Sequence, residues 1–108
     1  MKKLLELFKG RNINSGLEEY DQSPQAMLLD VRTEQEYRQG HIPGSRNIPL
    51  HNIENIVAMT HSKHVPLFVY CYSGTRSRRA VQELHHLGYR NVKNLGGISA
   101  YRGRVAYS

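Results

Sequence analysis

Pro66 to Gly88 reads PLFVYCYSGTRSRRAVQELHHLG, and the order of its parts decides the fold. Leu67-Phe68-Val69-Tyr70 is an apolar, β-prone run, and the chain's only cysteine, Cys71, stands at its end. Tyr72-Ser73-Gly74-Thr75-Arg76 follows as a short polar loop. Ala80, Val81, Leu84 and Leu87 then recur on one side of a predicted helix, which Gly88 stops. Strand, cysteine, tight loop and helix, in that order, aim backbone N–H groups and a helix N-terminus at one sulfur atom.

Outward from this stretch the chain alternates strands and helices. Ala26 to Val31 is a nearly continuous apolar run, as expected of a strand covered on both faces of a parallel sheet. Thr33 and Glu36 make a T-x-x-E capping box opening a short helix, Glu34 to Gln39, with Gly40 at its end. Ser45 to Ile48 reads as a short strand that Pro49 ends, and Leu50 to Met59 as a short helix. Val92 to Leu95 is a last strand before the Gly96-Gly97 turn, and Ser99 to Tyr107 a weak terminal helix or coil. Towards the N-terminus, Ser15 is expected to cap a brief helix over Leu17 to Tyr20, and Arg11 to Asn14 to form an edge strand or loop. Alternation of this kind implies an α/β layer fold with a mainly parallel sheet and right-handed crossovers. Ligands of such sheets sit outside the carboxyl ends of the strands, where both Asp30-Val31-Arg32 and Cys71 fall.

The 108 residues fit one domain, 1–108, with 1–13 as an N-terminal amphipathic or edge segment. Folding at this length buries roughly 60–70% of the unfolded chain's surface, enough for one core without staples. No apolar run approaches the roughly 20 residues that span a bilayer. The start, Met1 to Lys9, is broken by Glu6 and lacks a small-residue cleavage site, so a cytoplasmic protein that does not enter membranes is expected. One cysteine excludes an internal disulfide and a multi-cysteine metal site. His61 with His64, and His85 with His86, have no evident ligand partners, so no metal is expected. The net charge of +6 favours anionic partners in general. Arg76, Arg78, Arg79 and Arg90 come without a nucleic-acid-binding motif and read as a solvated helix face near an anion site.

Cys71 has two readings. A free cysteine that ends a core strand is often an inert buried residue. The loop after it favours reactivity. A thiolate, not a thiol, is the nucleophile, and a helix N-terminus and nearby cations lower the thiol's pKa from about 8.5. Gly74 lets the backbone curl so that successive N–H groups converge into an anion nest. The cysteine–five residues–arginine spacing of tyrosine phosphatases is not met, because Ser77 stands where the arginine belongs. The loop is therefore expected to suit a single sulfur better than a wrapped tetrahedral phosphate.

Four segments together resemble the single-domain rhodanese family of thiosulfate-type sulfurtransferases, over about Asn14 to Tyr101. They are Leu28-Leu29-Asp30-Val31-Arg32 with Glu36-Tyr37, Gly40 to Pro49, Val69 to Ser77, and Val92 to Ile98. The resemblance implies a rhodanese-like α/β fold with a central five-stranded, mainly parallel sheet flanked by helices. It implies a Cys71 nucleophile that takes a sulfane sulfur from a small anionic donor such as thiosulfate. The resulting persulfide passes its sulfur to cyanide in an assay or to a thiol in the cell, without cofactor or metal. Tyr72, Ser73, Gly74, Thr75 and Arg76 would form the binding loop, with Arg76 contacting the donor and Asp30 and Arg32 standing behind it. Two positions depart from the family's habit: Tyr101 stands in place of a tryptophan, and Tyr72 in place of an arginine, which removes one cation from the loop. The alternatives are a non-catalytic sulfur-carrier or regulatory module, with a sulfur-donating or sulfur-accepting protein as its partner, and, below it, a phosphatase or arsenate reductase on a related fold.

Overall fold

The computed structural model describes residues 12–108. In chain order the elements are α1 (Ile13–Asp21), β1 (Met27–Asp30), α2 (Glu34–Arg38) and β2 (Arg46–Asn47). A 3-10 segment (Leu50–Asn55) then runs into α3 (Ile56–Met59). β3 (Leu67–Cys71), α4 (Thr75–His86), β4 (Val92–Gly97) and a closing 3-10 turn (Ile98–Ala100) complete the fold. The sheet runs β2-β1-β3-β4, and every pairing is parallel. The α/β class and the parallel sheet are as expected. The expected strand number is not: the sheet has four strands among the described residues.

The edge strand or loop expected at Arg11 to Asn14 is, in its described part, the cap and start of α1. Asn12, not Ser15, is the cap: its Oδ1 accepts the N–H groups of Asn14 (2.9 Å) and Ser15 (3.2 Å). The Ser15 hydroxyl turns back to the Asn12 carbonyl at 3.0 Å. Ile13, which suggested a strand, is buried as a helix residue. The helix expected over Met1 to Gly10 lies outside the described residues. Leu50 to Met59 is not one helix either. Asn52 adopts φ −117° and ψ 23°, and its N–H bonds to the Pro49 carbonyl at 2.8 Å, so the α-helix begins only at Ile56. The Thr33–Glu36 capping box forms in both directions.

The nearly continuous apolar runs of β1 and β3 follow from cover on both faces. Side chains of a strand alternate between faces. Leu67, Val69 and Cys71 therefore join Leu29, Val31, Ile53, Ile56, Ala80 and Leu84 on the α3/α4 side. Phe68 and Tyr70 join Leu28, Ile13, Ile42 and Leu95 on the α1 side. That parity turns the Cys71 sulfur towards the first turn of α4 rather than into the α1 layer.

β4 carries the feature that fixes the site. Its register against β3 slips between Val69–Asn94 and Tyr70–Gly96, so Leu95 is the extra residue of a β-bulge. Gly96 takes φ 97° there. Gly97 then passes directly beneath the loop after Cys71: a Cβ on it would lie 2.1 Å from the Tyr72 carbonyl oxygen and 2.6 Å from the Ser73 Cα. The Tyr72 carbonyl also accepts the Ser99 N–H at 3.1 Å. Gly97 is thus a clearance requirement of the cysteine loop, whereas Gly96 is held to glycine by its left-handed backbone. Beyond Gly97, of the weak helix or coil expected over Ser99 to Tyr107, the helical part is only the 3-10 turn. An extended tail follows, in which Ala106 exchanges both backbone hydrogen bonds with His41. Gly97→Ala should lower stability by about 2 kcal/mol, because the methyl meets backbone that cannot move aside cheaply; urea denaturation with an unchanged midpoint would contradict the packing described.

Candidate active site

Cys71 is the last residue of β3 and is 1% exposed. Gly74 ends the loop with φ 104°, a left-handed conformation open to glycine, and serves as the N-cap of α4 without offering a side chain. The first-turn N–H groups of α4 therefore have no side-chain cap and are free for another acceptor. That acceptor is the sulfur: the Gly74 N–H donates to Cys71 Sγ at 2.9 Å, and the Ser77 hydroxyl oxygen lies 3.4 Å away. Burial by itself pushes the thiol pKa up. Hydrogen bonds from the Ser77 hydroxyl and from the N–H groups of Ser77, Gly74 and Ser73 outweigh it, and the net direction is down. Of the N–H groups expected to converge on the sulfur, that of Gly74 is in hydrogen-bond contact with it, and those of Ser73 and Ser77 act on its pKa in the same direction.

The expected loop residues take distinct positions. Tyr72 is 56% exposed beside the cysteine, one of few large apolar side chains that the described surface displays. Ser73 and Thr75 are also exposed. Arg76 does not stand free: its guanidinium clasps Glu36 through two contacts, 2.7 and 3.0 Å. Glu36 is at once the capping-box residue of α2, accepting the Thr33 N–H at 2.9 Å. The Arg76 guanidinium, helped by the Thr33 donors, holds the Glu36 carboxyl at about 2. The single cation of the 72–76 loop is therefore partly neutralised, with two of its five N–H donors committed.

Asp30 and Arg32 form a buried ion pair, Nη2 to Oδ2 at 2.6 Å, with side chains 0% and 6% exposed. Arg32 also donates to the Gly40 carbonyl at 2.8 Å, and Asn47 donates to the carbonyls of Asp30 and Arg32. The pair ties the end of β1 to the turn that leaves α2. His41 is likewise structural: its ring stacks on Tyr37 at 3.7 Å, and its Nδ1 lies 2.8 Å from the Tyr37 carbonyl. A cavity of about 480 Å³ lies on the flank of α4, lined by Val31, Thr33, Leu50, Ile53, Arg76 and Arg79 among others, and Cys71 is not among its lining residues.

Two site residues were not named from sequence. Ser77 is fully buried against the sulfur. Its spacing to Ala80 and Leu84 on the apolar stripe of α4 was the available signal, since a polar residue on that face needs a partner. Asn94, on β4, accepts the Ser77 hydroxyl at 2.6 Å, and nothing local in the sequence announces it.

A parallel sheet of four strands among the described residues, with one cysteine at its carboxyl edge held by a backbone N–H, defines the α/β class of this protein. Residues 14–104 match the model of the rhodanese-like domain, and the chain belongs to that family. It is 38% identical over 71 residues to the thiosulfate sulfurtransferase PspE of Escherichia coli, covering 65% of this chain and 68% of that one. It is 35% identical over 78 residues to the thiosulfate sulfurtransferase GlpE of Stutzerimonas stutzeri, covering 71% of each. Among solved structures, a rhodanese with anions from E. coli superposes with a TM-score of 0.72 at 32% identity, over 77% of this chain and 99% of that one. A rhodanese-like domain protein from Staphylococcus aureus gives a TM-score of 0.76 at 25% identity, over 90% of this chain and 95% of that one.

Because the folded thiol pKa lies below the unfolded one, the thiolate contributes stability that is present above the unfolded value of about 8.5 and is lost as pH falls through the folded value. The pH profile of Cys71 alkylation should accordingly have its midpoint below about 8.5 in the native chain and near it in the urea-unfolded chain. Coincident midpoints would mean that the loop does not stabilise the thiolate.

Proposed function

We propose that the protein is a sulfurtransferase that works through a persulfide on Cys71. The Cys71 thiolate attacks the outer sulfur of a donor such as thiosulfate; the S–S bond breaks and sulfite leaves with the bonding electron pair. The Cys71 persulfide remains. A thiophilic acceptor then attacks the outer sulfur and regenerates the thiolate: cyanide leaves as thiocyanate, a thiolate as its own persulfide. This is covalent catalysis in two half-reactions. No group of the chain has to gain or lose a proton in either displacement, which fits a site with a stabilised thiolate and no side-chain base in hydrogen-bond contact with it.

The observation that carries the reading is the Gly74 N–H held 2.9 Å from Cys71 Sγ, in a nest that favours negative charge at sulfur. Preorganised N–H dipoles stabilise an anion without reorganising during the reaction. The free donors of Arg76 are suited to the sulfonate end of the donor, its charge tempered by Glu36. Names of relatives at 35–38% identity agree with the chemistry.

A second reading, a sulfur carrier loaded by a protein, draws on the exposed Tyr72 and the partnered Arg76. A rim with an aromatic ring and one tempered cation suits a persulfide delivered on a polypeptide at least as well as a free dianion. The phosphatase and arsenate reductase alternatives find no support in a buried Ser77 where a phosphate-wrapping arginine would stand. Incubation with thiosulfate followed by intact-mass measurement should add one sulfur atom per chain to the wild type and none to Cys71→Ser. No addition to the wild type with any sulfane donor, or the same addition to Cys71→Ser, would overturn the persulfide reading. Addition from a protein persulfide but not from thiosulfate would favour the carrier.

A further inference from the structure

The Ser77 hydroxyl has one hydrogen and three acceptors within reach: Asn94 Oδ1 at 2.6 Å, the Gly74 carbonyl at 3.1 Å and Cys71 Sγ at 3.4 Å. The orientation of the Asn94 amide follows from its other partners. The Gly96 N–H, next to the bulge, donates to Oδ1 at 2.9 Å; Nδ2 faces the Gly74 carbonyl at 3.3 Å. Oδ1 therefore faces Ser77, and at 2.6 Å it holds the shortest of the three contacts.

We propose that Asn94 is a positioning residue for the Cys71 sulfur, holding the Ser77 hydrogen away from Sγ while the thiol is neutral and yielding it when Sγ carries charge. In the neutral state the Ser77 O–H points to Asn94, and its oxygen lone pairs accept the Cys71 S–H. On ionisation the Cys71 proton leaves to solvent and the Ser77 O–H turns to the thiolate. Asn94 Oδ1 keeps the Gly96 N–H, and because Asn94 is exposed, water takes the place of the hydroxyl. Nothing is oxidised or reduced. The acceptor on Asn94 thus weights the balance towards the thiol, against the N–H groups that weight it towards the thiolate. Its consequence for turnover rests on the sulfurtransferase reading. When the outer sulfur of a persulfide takes the charge, Sγ becomes neutral and the hydrogen returns to Asn94, so the hydroxyl follows the charge through each half-reaction.

The test is the pH profile of Cys71 alkylation in the wild type, Asn94→Ala, Ser77→Ala and the double variant. Removing the competing acceptor should lower the Cys71 midpoint by about half to one pH unit, the scale of one net hydrogen bond. The same change should have no effect once Ser77 is alanine. Asn94→Asp, which preserves the acceptor for the Gly96 N–H, should raise the midpoint, and by less in the Ser77→Ala background. Equal shifts in both backgrounds, or an unchanged or higher midpoint in Asn94→Ala, would overturn the proposal. Alkylation needs no sulfur donor, so a chain that never loads sulfur would refute the sulfurtransferase reading while leaving this coupling measurable.

Discussion

One backbone crossing constrains the rest of this structure: Gly97, at the end of β4, runs under the Cys71 loop with no room for a side chain. The crossing holds the Tyr72 carbonyl down on the Ser99 N–H and leaves Gly74 against the backbone of Gly96. With the loop pinned from below, the Gly74 N–H is held on the sulfur. The bulge at Leu95 serves the same arrangement, because it brings Asn94 under the first turn of α4. The packed sheet supplies rigidity, and the loop converts it into a fixed electrostatic environment for one atom.

The charges around the loop are balanced rather than massed. Arg76 is held by Glu36, and Arg32 by Asp30, so each arginine nearest the carboxyl ends of β1 and β3 arrives with its own carboxylate. Stabilisation of negative sulfur then falls chiefly to N–H groups and the Ser77 hydroxyl. Such donors act over short range and suit a charge that sits on one or two sulfur atoms. A chain with net charge +6 could have presented a strongly cationic mouth; this one places an exposed tyrosine there instead.

The parts of the site that are local in sequence were legible. The strand, the cysteine, the glycine turn and the α4 stripe lie within 23 consecutive residues, and the capping box is a four-residue pattern. Parity along β3 even sets which face Cys71 occupies. What could not be read joins distant positions through tertiary structure. Arg76 meets Glu36 across 40 residues, and Ser77 meets Asn94 across 17, the latter only because a bulge shifts the register. Sequence showed Arg76 as a cation near the sulfur but not that it arrives paired. Asn12 to Ser15 offers three capping residue types, Asn12, Asn14 and Ser15, around one apolar residue, and short-range preference did not single out Asn12 as the cap. The fifth strand came with the family pattern, and among the described residues the sheet closes at four.

In the proposed reaction sulfur rests on Cys71 between donor and acceptor. Initial rates with thiosulfate and cyanide varied together distinguish this from direct transfer. Transfer through Cys71 gives parallel double-reciprocal lines, the pattern of two half-reactions that never share a ternary complex. Lines that intersect would mean that sulfur passes directly from donor to acceptor, and would contradict it.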